Sequence, residues 1–234
     1  SSTLPEKNNT YFYPSVSLSA VVSEMVKLPT FFSYLKVRGS YANVAGDLGT
    51  EPDNLYNLLP VYSTYTTRWN NNVGISYSGT LFNPDILPSR VKTVEAGLEA
   101  RFFNNRLGFD VARYRNIEGP GIVNVAVSNS SGVSTIQKNA YTYVRKGWEI
   151  TATGRPVAGN NFTWDVLANW STSHRWLDEI DGVLKRDGNI RLGQRTDAYY
   201  ITDFQRDEKG NMIVGTNGLP AYNPYATRIG YADN

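Results

Sequence analysis

One histidine and no cysteine stand in this chain of 234 residues, and that removes most catalytic constellations at the outset. His174 sits in Ser173-His174-Arg175, and no nucleophile elbow, HExxH helix or phosphate loop occurs elsewhere for it to serve. Asp110 and Glu118 are separated by a strand and a bend, so nothing pairs them as acid and base. Asp207-Glu208-Lys209-Gly210-Asn211 has the composition of a calcium loop. It lacks the alternating ligand spacing and the terminal glutamate that calcium requires, and reads as a hairpin turn. Without cysteine there is no disulfide, zinc cluster or thiol nucleophile. The residues predict no enzyme, no metal site and no cofactor.

What the residue types do support is recognition. Tyr56, Tyr62, Tyr65, Trp69 and Tyr77 lie among asparagine and threonine in the stretch 43–90. Aromatic faces stack on sugar rings, amides bond their hydroxyls, and the same groups can clasp a peptide backbone. Tyr62, Tyr65 and Trp69, beside Asn70-Asn71-Asn72, are the candidate ligand contacts; the plainer alternative is that they pack the loop against its neighbours. A net charge of +2 gives no reason to expect a nucleic-acid partner.

The elements that must position such a loop are strands. In 91–103, Val94, Ala96, Leu98, Ala100 and Phe102 alternate with Thr93, Glu95, Gly97, Glu99 and Arg101. Period-two alternation puts these sets on opposite faces of a strand. The same pattern occurs over 15–23, 34–42, 106–116, 141–154 and 162–171, with weaker β signals at 198–204 and 211–214. Each strong segment is about ten residues, the length of a transmembrane β-strand (about 9–11), whereas a soluble strand is usually about 5–6. No run of apolar residues is long enough for a membrane helix, which leaves barrel strands open.

The connections alternate short and long, with long loops expected near 43–90, 117–140 and 173–234. In an antiparallel meander this puts the tight turns at one rim and the long loops at the other, as in outer-membrane barrels. A soluble carbohydrate-binding β-sandwich with one decorated end is the alternative. Asn104-Asn105 is a turn pair suited to positive φ. Arg113 and Arg115 continue the apolar face of Leu107, Phe109 and Val111. Either the membrane band ends near Val111 or a bulge shifts the register there.

A family resemblance runs from about Tyr11 to the C-terminus. It is carried by Tyr13-Pro14-Ser15-Val16-Ser17-Leu18 with Ser23-Glu24, by Leu35-Lys36-Val37-Arg38-Gly39-Ser40-Tyr41 and by Phe82-Asn83-Pro84-Asp85-Ile86-Leu87-Pro88. Glu95-Ala96-Gly97-Leu98-Glu99-Ala100, Phe102-Phe103-Asn104-Asn105-Arg106-Leu107 and Gly147-Trp148-Glu149-Ile150 continue it, followed by Pro156, Phe162, Trp164 and Asn169. In this order and spacing they resemble the SusC/RagA family of TonB-dependent outer-membrane transporters of Bacteroidetes. The chain departs from the family pattern at Ser89, at Arg145-Lys146 and at Arg113, where an aromatic is usual.

The resemblance implies an all-β fold, an antiparallel meander forming about six to eight strands of a large barrel, against 22 in the complete family barrel. On that expectation, residues 1–234 are one partial barrel domain, and the plug and TonB box are not within them. It further implies residence in the outer membrane and import of oligosaccharides or peptides. The implied partners are a SusD-like surface lipoprotein, TonB acting through the plug, and outer-membrane lipid.

Overall fold

The computed structural model describes residues 4, 6–46, 62–64, 70, 72–180 and 186–232. The strands are β1 (Ser15–Val21), β2 (Phe32–Gly46), β3 (Ser63–Thr64), β4 (Ile75–Ser76), β5 (Thr80–Leu81), β6 (Ser89–Phe102) and β7 (Leu107–Ala126). They continue with β8 (Thr135–Ala158), β9 (Thr163–Ile180), β10 (Arg186–Asp187), β11 (Ile190–Arg191), β12 (Ala198–Ile201) and β13 (Thr227–Tyr231). One helical turn, α1 (Val22–Met25), leads toward β2. The main sheet runs β1-β2-β6-β7-β8, with β9 on β8 and the two-residue β5 added in parallel at the far end of β8. All its long neighbours are antiparallel.

The register turns the sequence alternation into two faces. Ala20, Val37, Leu98, Val111, Ile150 and Trp170 are successive cross-strand partners, so they form one apolar row across the sheet. Leu35, Ala100, Phe109, Ala152 and Ala168 form the next. This face is exposed: Val94 is 53%, Leu98 41%, Trp164 53% and Trp170 57% accessible. The opposite row of Lys36, Glu99, Asp110, Thr151 and Asn169 is polar. A β-sandwich buries its apolar face between two sheets. Here the arrangement is inverted, and the sandwich alternative fails. Such a face is stable where lipid covers it.

The short turns lie at one rim. Phe103, Asn104 and Asn105 all have positive φ (54°, 56° and 64°), so the expected Asn-Asn turn includes the phenylalanine before it. The chain is pinned there by Phe103 N–H donating to the Phe31 carbonyl at 2.9 Å. Phe31, Phe32, Phe102 and Phe109 gather around this turn, with ring centroids 4.6–6.3 Å apart in successive pairs. Aromatics concentrated at one rim suit a membrane interface.

Two expectations change, and one open alternative is decided. The segment 117–140 is largely strand: β7 and β8 run on as a hairpin beyond the rest of the sheet, and only residues 127–134 connect them. Gly119-Pro120-Gly121 reads as punctuation, but a register shift between Glu118 and Gly121 absorbs it and pairing resumes from Ile122 to Ala126. β9 continues to Ile180, past the point where its alternation weakens, because Tyr141, Thr142 and Tyr143 of β8 pair with its Ile180, Glu179 and Leu177. The β6–β7 register is unbroken from Val91–Glu118 to Phe102–Leu107. No bulge therefore turns Arg113 and Arg115 inward; the apolar band ends beside them.

At the long-loop rim the 83–87 segment packs on the hairpin. Ile86 and Leu4 are buried against Tyr11 and Ile122. Asn139 closes the contact by donating to the Leu87 carbonyl at 2.7 Å and accepting from the Leu87 N–H at 2.9 Å. Further along, β12 and β13 form a small hairpin, and bridges join Phe204 to Tyr222, Arg206 to Met212 and Val214 to Pro220. Asp207 accepts from the N–H groups of Lys209 and Asn211, both at 2.9 Å, which makes this stretch the hairpin turn read from its sequence.

Candidate functional site

The polar face carries the chemistry, and β2, β6, β7, β8 and β9 each contribute to it. Arg38 on β2 reaches over Gly97 on β6 to Asp110 on β7, donating from both terminal nitrogens to both carboxylate oxygens at 2.9 Å. A planar guanidinium and a carboxylate match in this two-pronged geometry. Glu95 flanks the pair, 3.8 Å from Arg38 Nε. One row toward the short-turn rim, Arg101 donates to Glu99 at 2.7 Å and stands 5.2 Å from the centroid of Tyr34. Glu99, Arg101, Asp110, Thr151 and Thr153 line a recess of about 240 Å³.

A second cluster lies toward the long-loop rim. Glu118 accepts from Arg145 Nε and from Arg175 Nε, each at 2.8 Å, with its side chain only 19% exposed. The Arg175 guanidinium also lies 3.7 Å from the centre of the Tyr143 ring. Between the clusters, Tyr114 lies flat over Gly147. A Cβ there would meet the Tyr114 hydroxyl at 2.4 Å and the Thr172 carbonyl at 2.2 Å.

Asp110 and Glu118 are eight positions apart on one strand, roughly 27 Å at about 3.4 Å per residue. Asp110 is held by Arg38, and Glu118 by Arg145 and Arg175. His174 sits on the opposite, apolar face beside Trp176, at 5.9 Å between ring centroids. Among the described residues no cluster of His, Asp and Glu could hold a metal. The face offers ion pairs and hydroxyls, suited to contact with water and polar solutes.

Of the ligand contacts expected from sequence, Tyr62 is described. It is exposed and packs edge-on against Tyr77 at 5.4 Å. Tyr65 and Trp69 lie outside the described residues. Sequence reasoning weighed Glu118 only against Asp110 and missed its pairing with Arg145 and Arg175, because it put Glu118 in a loop and ended the last strand before Arg175. The available signal was the uniform odd-numbered polarity of β6 facing the even-numbered polarity of β7.

No family model matches the chain. The chain is 25% identical over 232 residues to a TonB-dependent receptor of Formosa agariphila, covering 94% of this chain and 23% of that protein. Against the TonB-dependent receptor SusC of Bacteroides thetaiotaomicron it is 23% identical over 247 residues, covering 98% and 24%. The chain thus spans about a quarter of the length of the curated relatives it matches. It superposes on the RagAB peptide importer in its closed-closed state with a TM-score of 0.74 at 18% identity, over 97% of this chain and 27% of that one. The open-open state gives the same TM-score and identity over 98% and 26%. The chain is SusC/RagA-like. Its sheet is a section of a SusC/RagA-like barrel in the bacterial outer membrane, with Leu98 and Trp170 toward lipid and Asp110 and Glu118 toward the lumen. The lumen-facing clusters of this SusC/RagA-like barrel are therefore its candidate functional surface.

Proposed function

We propose that the protein to which this chain contributes is a TonB-dependent importer of oligosaccharides or peptides across the outer membrane. The supporting observation is the match to TonB-dependent receptors along nearly the whole chain, in a sheet whose apolar face looks outward. A polar lumen wall whose Arg38, Asp110, Glu118, Arg145 and Arg175 are ion-paired suits passage of hydrated cargo, since charges compensated in this way do not trap a counter-charge. In this reading a SusD-like lipoprotein covers the long-loop rim, TonB supplies energy through a plug, and no bond is made or broken. Tyr62, Tyr65 and Trp69 are the proposed cargo contacts in the extracellular loop. The near-neutral charge and the tyrosine- and asparagine-rich loop favour a neutral glycan among possible cargoes.

Deleting the gene and measuring uptake and growth on a panel of neutral oligosaccharides and on peptides tests the reading. Loss of one uptake activity, reproduced by TonB depletion, is the expected result. Unchanged uptake of every compound would overturn it.

A further inference from the structure

The outward face carries cations that the lumen wall does not explain. Arg115 on β7 and Lys146 on β8 are direct cross-strand partners, and Arg113 lies one outward position nearer the apolar band, opposite Trp148. All three are exposed. Like charges directly opposite one another across a strand pair destabilise it. Lumen-side Arg38, Arg101, Arg145 and Arg175 each have a carboxylate partner. Arg113 and Lys146 instead lie against aromatic rings, at 4.8 Å from Trp148 and 5.5 Å from Trp176. The alternation leaves no Asp or Glu at an outward position of β6, of β7 up to Ile117 or of β8 from Val144 to Gly154. The three cations and Val94 and Ala96 line a groove of about 290 Å³. The cations and the groove share one spot with no anion supplied from these strands.

Depth identifies what reaches that spot. Arg115 is eight residues from Leu107 at the short-turn rim, roughly 27 Å along the strand and about 20 Å along the membrane normal at a tilt of about 40°. An apolar band is about 25 Å tall. Arg115 and Lys146 are therefore within about 5 Å of the boundary on the long-loop side, within reach of the headgroups, where the cost of a lipid-facing cation falls toward about 0–1 kcal/mol. Long cationic side chains there keep their stems in the apolar layer and their heads in the polar one.

We infer that Arg113, Arg115 and Lys146 form a binding site for a phosphorylated glycolipid headgroup of the outer leaflet. The guanidinium groups grip the phosphate, the lysine adds a point charge, and Val94, Ala96 and Trp148 receive the adjoining acyl and sugar surfaces.

The test uses the full-length transporter, purified in mild detergent and titrated with monophosphorylated lipid A or its dephosphorylated counterpart, with bound lipid counted by native mass spectrometry. The triple variant R113Q/R115Q/K146Q should bind the phosphorylated lipid about a hundredfold more weakly, and R115Q alone roughly fivefold. K27Q, which removes an exposed cation at the other rim, should bind as wild type. R115Q alone keeps the test valid if the triple variant does not fold, which unboiled gel mobility reports. Unchanged binding by the triple variant or by R115Q, or equal affinity for the dephosphorylated lipid, would overturn the inference. So would inorganic phosphate competing at equal concentration, which would assign the groove to a free anion. A change of oligomeric state in the triple variant without lipid would assign it to a protein neighbour and overturn the inference too.

Discussion

Gly97 and Arg38 occupy one space: a Cβ on Gly97 would fall 2.6 Å from Arg38 Nε and 2.8 Å from its Cζ. The bare backbone at Gly97 lets a side chain from β2 cross β6 and meet Asp110 on β7. Because the obstructing atoms belong to a flexible side chain, a bulky residue at 97 should displace the arginine without breaking the sheet. G97V should lower stability of the full-length barrel by about 1 kcal/mol, within the range for a partly exposed ion pair. In an R38A background the same substitution should cost less, since the shared contact is already gone. Denaturant unfolding of the four proteins measures this; fully additive effects would mean that Gly97 acts through something other than Arg38.

Glu118 bridges Arg145 and Arg175. Replacing it leaves two neighbouring, partly exposed guanidinium groups facing each other. E118A should destabilise the barrel by about 1–3 kcal/mol, and E118Q by less, because the amide still accepts a hydrogen bond. E118A/R175Q should recover part of the loss by removing one of the two repelling charges. The measurement is again unfolding of the full-length protein, and no recovery in the double variant would count against mutual repulsion as the cause.

Asp197 lies outside the membrane strands, where the hydrogen bonds from Arg195 hold its carboxyl below the usual carboxylate value. The sign follows from linkage. A carboxyl lowered in the folded state contributes stability above its unfolded value near 3.9, and that contribution is lost as pH falls through the folded value. The Ala232 N–H bonds the Asp197 carbonyl, so its exchange reports on this contact. Hydrogen exchange at Ala232, corrected for intrinsic rate, should be slow at about pH 5 and quicken toward about pH 3; in D197N it should be faster at pH 5 and respond less to pH.

For the cargo loop, stacking one aromatic on a ligand ring contributes about 0.5–1.5 kcal/mol beyond area burial. W69A should therefore weaken cargo binding by roughly tenfold at most. Calorimetric titration of the complete transporter with its lipoprotein checks it once the cargo is identified. Unchanged affinity would assign Trp69 to loop packing.

Much of the barrel wall was legible in the chain. Alternation such as Val94–Leu98 against Glu95–Glu99 is a local property, because consecutive side chains of a strand must point to opposite faces. Asn104-Asn105 marked its turn for a similar reason: the requirement for positive φ is met within the turn itself. The family resemblance was likewise written in short segments whose order and spacing survive in the linear sequence. Local pattern could not decide whether Arg113 and Arg115 faced lipid or lumen, since an unseen bulge would have exchanged the answers; only the unbroken pairing of β6 with β7 did. Nor could it extend β7 and β8 through Gly119-Pro120-Gly121, where the partner strand supplies the hydrogen bonds that the local sequence interrupts. The contacts of Arg38 with Asp110, 72 positions apart, and of Arg175 with Glu118, 57 apart, depend on strand order and register. Those are set by the association of distant segments, so the composition of each face was readable from sequence while the partnerships on it were decided by the assembled sheet.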